Sequence, residues 1–214
     1  MGLWLRRGWF CAFAILLCAQ PSVAADLKSA ERAYKKKDYA TALREFAPAA
    51  KQGNAEAEAY LGRMYLLGQG GVPKDRDEAI KLFKASGDQG NADAQFFLGT
   101  IYLLPRKDVP QGLMWMRLSA EQGNQDAQLL LGQTYMQGVK ELPRDLVQAD
   151  MWMRLAAKGN LPFYQHQVDG VERQMSSADI EKAKVLAAVW KPKHGLRPDQ
   201  GEASKSKPES IGTR

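Results

Sequence analysis

Ala94-Gln95-Phe96-Phe97-Leu98-Gly99-Thr100-Ile101-Tyr102 decides the fold, because the chain carries the same frame three times. Ala57 to Tyr65 and Ala127 to Tyr135 repeat it as Ala-x-x-x-Leu-Gly-x-x-Tyr. The Ala, Leu and Tyr positions stand four apart, which places them on one face of a helix. A glycine inside a helix costs about 1 kcal/mol against alanine. Its return at Gly62, Gly99 and Gly132 predicts a neighbouring helix packed too closely to leave room for a side chain.

Two further signals frame these helices. Gly-Asn occurs at Gly53-Asn54, Gly90-Asn91, Gly123-Asn124 and Gly159-Asn160, at intervals of 37, 33 and 36 residues. Glycine ends one helix in the left-handed conformation and asparagine caps the next, so the dipeptide joins helices with almost no loop. Asp38, Asp75, Asp108 and Asp145 each precede a small residue by four: Ala42, Ala79, Gly112 and Ala149. The pairs Asp75/Glu78, Asp108/Gln111 and Asp145/Gln148 resemble capping boxes at the start of a second helix. Capping accounts for the identity and spacing of these aspartates better than metal binding does, and no metal site is expected.

The resulting expectation is all-α: a right-handed alpha-alpha superhelix of about five helical hairpins. A partial first hairpin covers Leu27 to Gly53, and full ones cover Asn54 to Gly90, Asn91 to Gly123 and Asn124 to Gly159. A divergent last unit starts at Asn160-Leu161-Pro162 and closes with a helix from Ser176 to Trp190, whose Met175, Ile180, Ala183, Leu186, Ala187 and Trp190 suit an apolar capping face. The repeat domain is thus set at residues 26–190. Residues 191–214 hold three Pro, three Gly and three Ser, with Leu196 and Ile211 as the large aliphatic residues, and read as a disordered tail.

The first 25 residues differ from the rest. Arg6 and Arg7 precede the apolar run from Gly8 to Ala19, and Val23-Ala24-Ala25 offers small residues for cleavage, so a signal peptide covers 1–25 with a mature start near Asp26. The run is about a dozen residues, short of the roughly 20 that span a bilayer, so no stable membrane anchor is expected after cleavage. Twin-arginine and lipoprotein signals fit the flanking residues less well than the general secretory route. The protein is expected in the periplasm or outside the cell. Both cysteines, Cys11 and Cys18, fall in the signal, which leaves the mature chain without thiol chemistry or disulfides.

The charge of the mature chain is unevenly distributed. Without Arg6 and Arg7, 28 basic residues face 24 acidic ones, and residues 191–214 hold six of the basic and three of the acidic. The body is nearly neutral and has no basic stripe, which argues against a nucleic-acid partner despite a pI of about 9.3.

The frame, the Gly71-Val72-Pro73-Lys74-Asp75 turn and the segments Trp115 to Asn124 and Trp152 to Asn160 resemble the Sel-one-like repeat family, a branch of the tetratricopeptide-like solenoids. The closing helix from Ser176 also looks like that of bacterial members. The first unit departs by lacking Leu-Gly-x-x-Tyr, and the fourth is one residue short between Trp152 and Gly159. The resemblance implies an interaction scaffold or adaptor that takes a protein or peptide partner on the concave face lined by the first helix of each hairpin. The positions implied are Glu56, Arg63 and Leu66; Asp93, Phe96 and Thr100; and Asp126, Leu129 and Gln133. For Glu56, Asp93 and Asp126, stabilisation of the helix start is an equal reading, since each lies two residues after an asparagine. An accessory of cell-wall processes, binding peptidoglycan fragments or a cell-wall enzyme, is the alternative.

Catalytic chemistry is weakly represented. The histidines are His166 and His194, neither near a nucleophile in sequence. Ser204-Lys205-Ser206-Lys207 formally matches Ser-x-x-Lys but sits in the expected tail. Gly68-Gln69-Gly70-Gly71 lacks the strand that a phosphate loop needs. Trp115 and Trp152, at equivalent places, suit core packing better than sugar stacking, and Met114, Met116, Met151 and Met153 suit gap filling. No cofactor and no enzyme activity are expected, and oligomeric state is left open.

Overall fold

A computed structural model describes residues 27–104, 108–159 and 162–201, so the expected signal peptide, Asn160 and the Ser204 to Lys207 motif lie outside the described residues. The described residues form ten α-helices: α1 (Leu27–Lys35), α2 (Tyr39–Lys51), α3 (Ala55–Leu67), α4 (Arg76–Asp88), α5 (Ala92–Leu103), α6 (Val109–Glu121), α7 (Gln125–Gln137), α8 (Leu146–Ala156), α9 (Pro162–Glu172) and α10 (Ser177–Val189). A single turn, α11 (Pro198–Gly201), follows. Successive helices pack as hairpins α1/α2, α3/α4, α5/α6 and α7/α8, each stacked on the next. The fold is the all-α repeat superhelix that the spacing predicts.

The junctions form as the dipeptide requires. Gly53, Gly90 and Gly123 have φ of +80°, +92° and +93°. Asn54, Asn91 and Asn124 then accept from the N–H of Ala57, Ala94 and Ala127 at 2.9–3.0 Å. Asp75, Asp108 and Asp145 accept from the N–H of Glu78, Gln111 and Gln148 at 2.9, 3.1 and 3.0 Å. The other half of the expected capping box is replaced by something longer in range. The N–H of Asp75, Asp108 and Asp145 donates to the carbonyl of Tyr65, Tyr102 and Tyr135, at 2.9, 3.4 and 3.0 Å. The cap thereby pins each second helix to the end of the first.

The helical glycines explain themselves by contact. A Cβ on Gly62 would lie 2.7 Å from the Phe83 ring, one on Gly99 3.0 Å from the Met116 nitrogen, and one on Gly132 2.9 Å from the Ala149 carbonyl oxygen. Phe83, Met116 and Met153 are fully buried beside them. Trp115 (3% exposed) and Trp152 (8% exposed) belong to the core, which removes the sugar-stacking reading.

The C-terminal end departs from the repeat. Gly159 sits in a 3-10 turn rather than in the left-handed conformation, at the end of a Trp152-to-Gly159 stretch that is a residue shorter than Trp115 to Gly123. Helices α9 and α10 both pack on α8, with Val168 and Val171 on one side and Ala187 and Trp190 on the other. Arg154 ties α8 to α9 by pairing with the buried Asp150 (2.9 Å) and with Glu172. Burial pushes the Asp150 carboxyl above its usual range, and Arg154 opposes that push.

The expected tail also needs correction up to Gly201. Residues 191–197 lie along the repeats rather than free of them: the Lys193 N–H donates to the Glu121 carbonyl (2.9 Å) and Gln95 donates to the Leu196 carbonyl (2.6 Å). The polar composition conceals this because the contacts are made mostly by the backbone. Residues 202–214 lie outside the described residues.

The glycine contacts give a direct test. Replacing Gly132 with Ala gains up to about 1 kcal/mol of helix propensity, but overpacking against backbone costs about 1–3 kcal/mol. Gly132→Ala is expected to lower the melting temperature by about 2–4 °C per kcal/mol lost, measured by thermal circular dichroism. An unchanged or raised value contradicts the packing account.

Candidate functional site

The first helices of the hairpins, α1, α3 and α5, lie side by side and build one continuous surface. Arg63 on α3 marks its centre. Its guanidinium carbon stands 5.0 Å from the Tyr34 ring of α1, 5.8 Å from Tyr60 of α3 and 5.4 Å from Phe97 of α5. Three ring faces around one guanidinium hold it by cation–π attraction. Tyr60 is further stacked on Phe46, and Phe97 on Phe83, so the rings are anchored in the hydrophobic core.

Beside this aromatic patch runs a row of carboxylates: Glu31 on α1, Glu56 on α3 and Asp93 on α5. The Glu56 carboxyl is pushed above its usual range by burial, then by the Glu31 charge and a shared hydrogen bond with Glu31, then by Asp93, with Lys35 opposing. Tyr60 is raised by burial and next by Glu31 and Glu56, despite Arg63. The local field is negative even with an arginine in the patch. Glu56 stands in the first turn of its helix, where the dipole favours a charged carboxylate. The raised proton affinity shows that the neighbouring acids and burial outweigh the dipole.

The nine residues expected to bind a partner fall into distinct settings. Glu56, Asp93 and Arg63 come together on the α1–α3–α5 surface, with Asp93 accepting from Asn124 (2.8 Å). Leu66 and Phe96 are half-buried against core clusters, and the Thr100 hydroxyl donates to the Phe96 carbonyl (3.0 Å). The third set is tied to α9, with Leu129 buried, Gln133 half-buried and Asp126 exposed. Tyr164 donates to Asp126 (2.8 Å), Gln133 donates to Gln167 (3.3 Å), and Leu129 is 8% exposed in the cluster of Val168 and Val171. Leu129 is therefore a core residue, because α9 lies where a partner was expected. Glu31, Tyr34 and Tyr60 were missed: α1 lacks the repeat frame, and Tyr60 occupies a position where the other copies carry Phe97 and Leu130.

Other chemistry is sparse among the described residues. They hold no group of three His, Cys, Asp or Glu able to grip a metal ion, and no helix long and apolar enough to cross a membrane. His166 and His194 are both exposed.

Stacked hairpins that present a continuous first-helix surface define a helical-repeat scaffold. The chain belongs to the Sel1 repeat family: the Sel1 repeat model matches residues 55–91, 92–124 and 125–161, half of the chain. These boundaries coincide with the Gly-Asn junctions. Among solved structures, the Sel1 repeat protein from Oxalobacter formigenes is similar with 26% identity and a TM-score of 0.59, over 66% of this chain and 59% of that one. A second, c5321, a protective antigen of uropathogenic Escherichia coli strains with an SLR fold, shares 27% identity with a TM-score of 0.45, over 81% of this chain and 45% of that one. The chain thus spans less than two thirds of either protein. No curated protein matches it. Sel1 repeats generally mediate protein–protein interaction and are typically non-catalytic.

The strained carboxyl row predicts a pH signature. Glu56 binds its proton more tightly in the folded chain, so its contribution is most favourable below its ordinary value of 4.5 and is lost as pH rises through the raised value. Glu56→Gln is expected to raise the melting temperature at about pH 7 and to leave it unchanged near about pH 3.5, where both forms are neutral. A loss of stability at neutral pH would show that the helix dipole governs this residue.

Proposed function

We propose that this chain is an exported adaptor that holds a basic segment of a partner protein on the concave face of α1, α3 and α5. The observation that carries the reading is the row Glu31, Glu56 and Asp93, which runs across three helices beside the rings of Tyr34, Tyr60 and Phe97 and keeps Glu56 short of compensating charge. A cationic side chain laid along that row relieves the repulsion. The contact is shallow and mixed, polar along the acids and apolar at Phe96 and Leu66, as an extended solenoid surface provides. Its C-terminal limit lies at α7, where α9 buries Leu129 and takes up Asp126 and Gln133 in hydrogen bonds from Tyr164 and to Gln167. Export is supported by Arg6-Arg7, the apolar run to Ala19 and Val23-Ala24-Ala25, and it places the adaptor in the periplasm or outside the cell.

A labelled peptide alternating Lys and Leu is a suitable probe, read by fluorescence anisotropy. Glu56→Lys with Asp93→Lys is expected to weaken binding by about tenfold or more, while Asp126→Lys changes it little. Affinity should also fall as salt rises. Equal binding by all variants contradicts the site. The export reading is checked by amino-terminal sequencing of protein recovered from cells: a start near Asp26 supports it, and an intact Met1 overturns it.

A further inference from the structure

Residues 191–197 cross the surface of the second and third hairpins, bending at Gly195 (φ +64°), and their contacts form a built site. Gln95 on α5 is fully buried and its amide group is oriented from two sides: Nε2 donates to the Gly87 carbonyl (2.9 Å), and Oε1 accepts from Gln122 (2.7 Å) at the end of α6. That arrangement leaves Gln95 Nε2 as a second donor and Gln122 Oε1 as an acceptor, side by side. Leu196 meets both with its backbone, its carbonyl accepting from Gln95 (2.6 Å) and its N–H donating to Gln122 (3.3 Å). The pair therefore reads main chain, as the edge of a sheet would.

Two side chains add selectivity. Leu196 packs on the cluster that holds Leu98, Trp115 and Leu118. Lys193 donates from Nζ to the Glu121 carboxylate (2.9 Å) and from its N–H to the Glu121 carbonyl (2.9 Å). Between them, Gly195 passes so close to Gly90 that a Cβ there would fall 2.8 Å from the Gly195 carbonyl. His194 and Lys191 are exposed and make no use of the cleft.

The neighbouring repeats do not offer the same pair. One hairpin earlier, Glu58 stands at the Gln95 position and accepts from Gln89 (3.0 Å); an ionised carboxylate has no proton to give a peptide carbonyl. There the space around Gly53 is open. One hairpin later, Lys158 stands at the Gln122 position and lies over Trp190. Among the described residues the donor–acceptor pair is built once, where the segment sits.

We propose that the Gln95–Gln122 cleft is a peptide-recognition site, held in this chain by its own residues 191–197 and open in exchange to a partner segment of like chemistry: a stretch with lysine three residues ahead of leucine and a glycine at the bend just before the leucine. Gln95 lies two residues beyond Asp93, about 200° around the helix. The cleft is therefore separate from the concave carboxylate row and does not depend on it. Residues 191–197 act as a tethered competitor that a partner must displace. One half-buried leucine and a few hydrogen bonds hold them, a hold that a second copy of the same chemistry can match.

The test uses the full chain with its own segment released by Lys193→Glu and Leu196→Asp, and a labelled peptide of residues 190–199 added in trans. Fluorescence anisotropy is expected to show binding at least about tenfold tighter to the released chain than to the wild-type chain. Adding Gln122→Ala to the released chain should weaken it again by a similar factor, with no change in helical circular dichroism. If the double substitution impairs folding, Leu196→Ala alone gives the same comparison. No saturable binding to a released, folded chain overturns the proposal, as does equal binding by released and wild-type chains or indifference to Gln122→Ala.

Discussion

Everything in this molecule depends on how closely the two helices of a hairpin approach at Gly62, Gly99 and Gly132. With backbone or core side chains within about 3 Å of where a Cβ would be, no other residue fits without displacement. The approach sets the tilt of each pair, and the tyrosine three residues on completes it, since its carbonyl receives the N–H of the aspartate that caps the second helix. Close packing and capping are thus one device. It converts a weak helix former into the fixed point of each hairpin, because packing energy outweighs propensity.

That device also decides which residues are free to vary. Ala, Leu, Gly and Tyr face the partner helix, and the Gly-Asn junctions fix where the next pair begins. What remains on α1, α3 and α5 are the outward positions, and there the repeats differ: Arg63, Thr100 and Gln133 share one position and have three different fates. Arg63 is gripped by rings, Thr100 bonds its own helix, and Gln133 is tied to α9. Two of the recurring acids, Glu56 and Asp93, join Glu31 of α1 in the negative row. Function in such a scaffold resides in the positions that the frame leaves unconstrained.

Most of the fold was legible because its signals are local and repeated. Spacing of four along a helix, Gly-Asn at the joints and Asp before a small residue each state their geometry within a few residues of chain. The site was only partly legible, for a physical reason. Whether Leu129 faces a partner or the core depends on where α9 lies, and α9 carries no repeat frame to place it. Glu31 and Tyr34 joined the surface from a helix without the motif. Residues 191–197 looked unstructured because they hold one large aliphatic side chain, while their order comes from backbone bonds to Gln95 and Gln122, about 100 and 74 positions away.

The central claim is that the concave surface is open over α3 and α5 and closed over α7 by the protein itself. Site-specific photo-cross-linking in intact cells tests it, with the photoreactive side chain placed at Thr100 or at the equivalent Gln133. Capture of a discrete partner from position 100, with none from position 133, is the predicted result. Equal capture from both positions, or capture from 133 alone, would contradict the account.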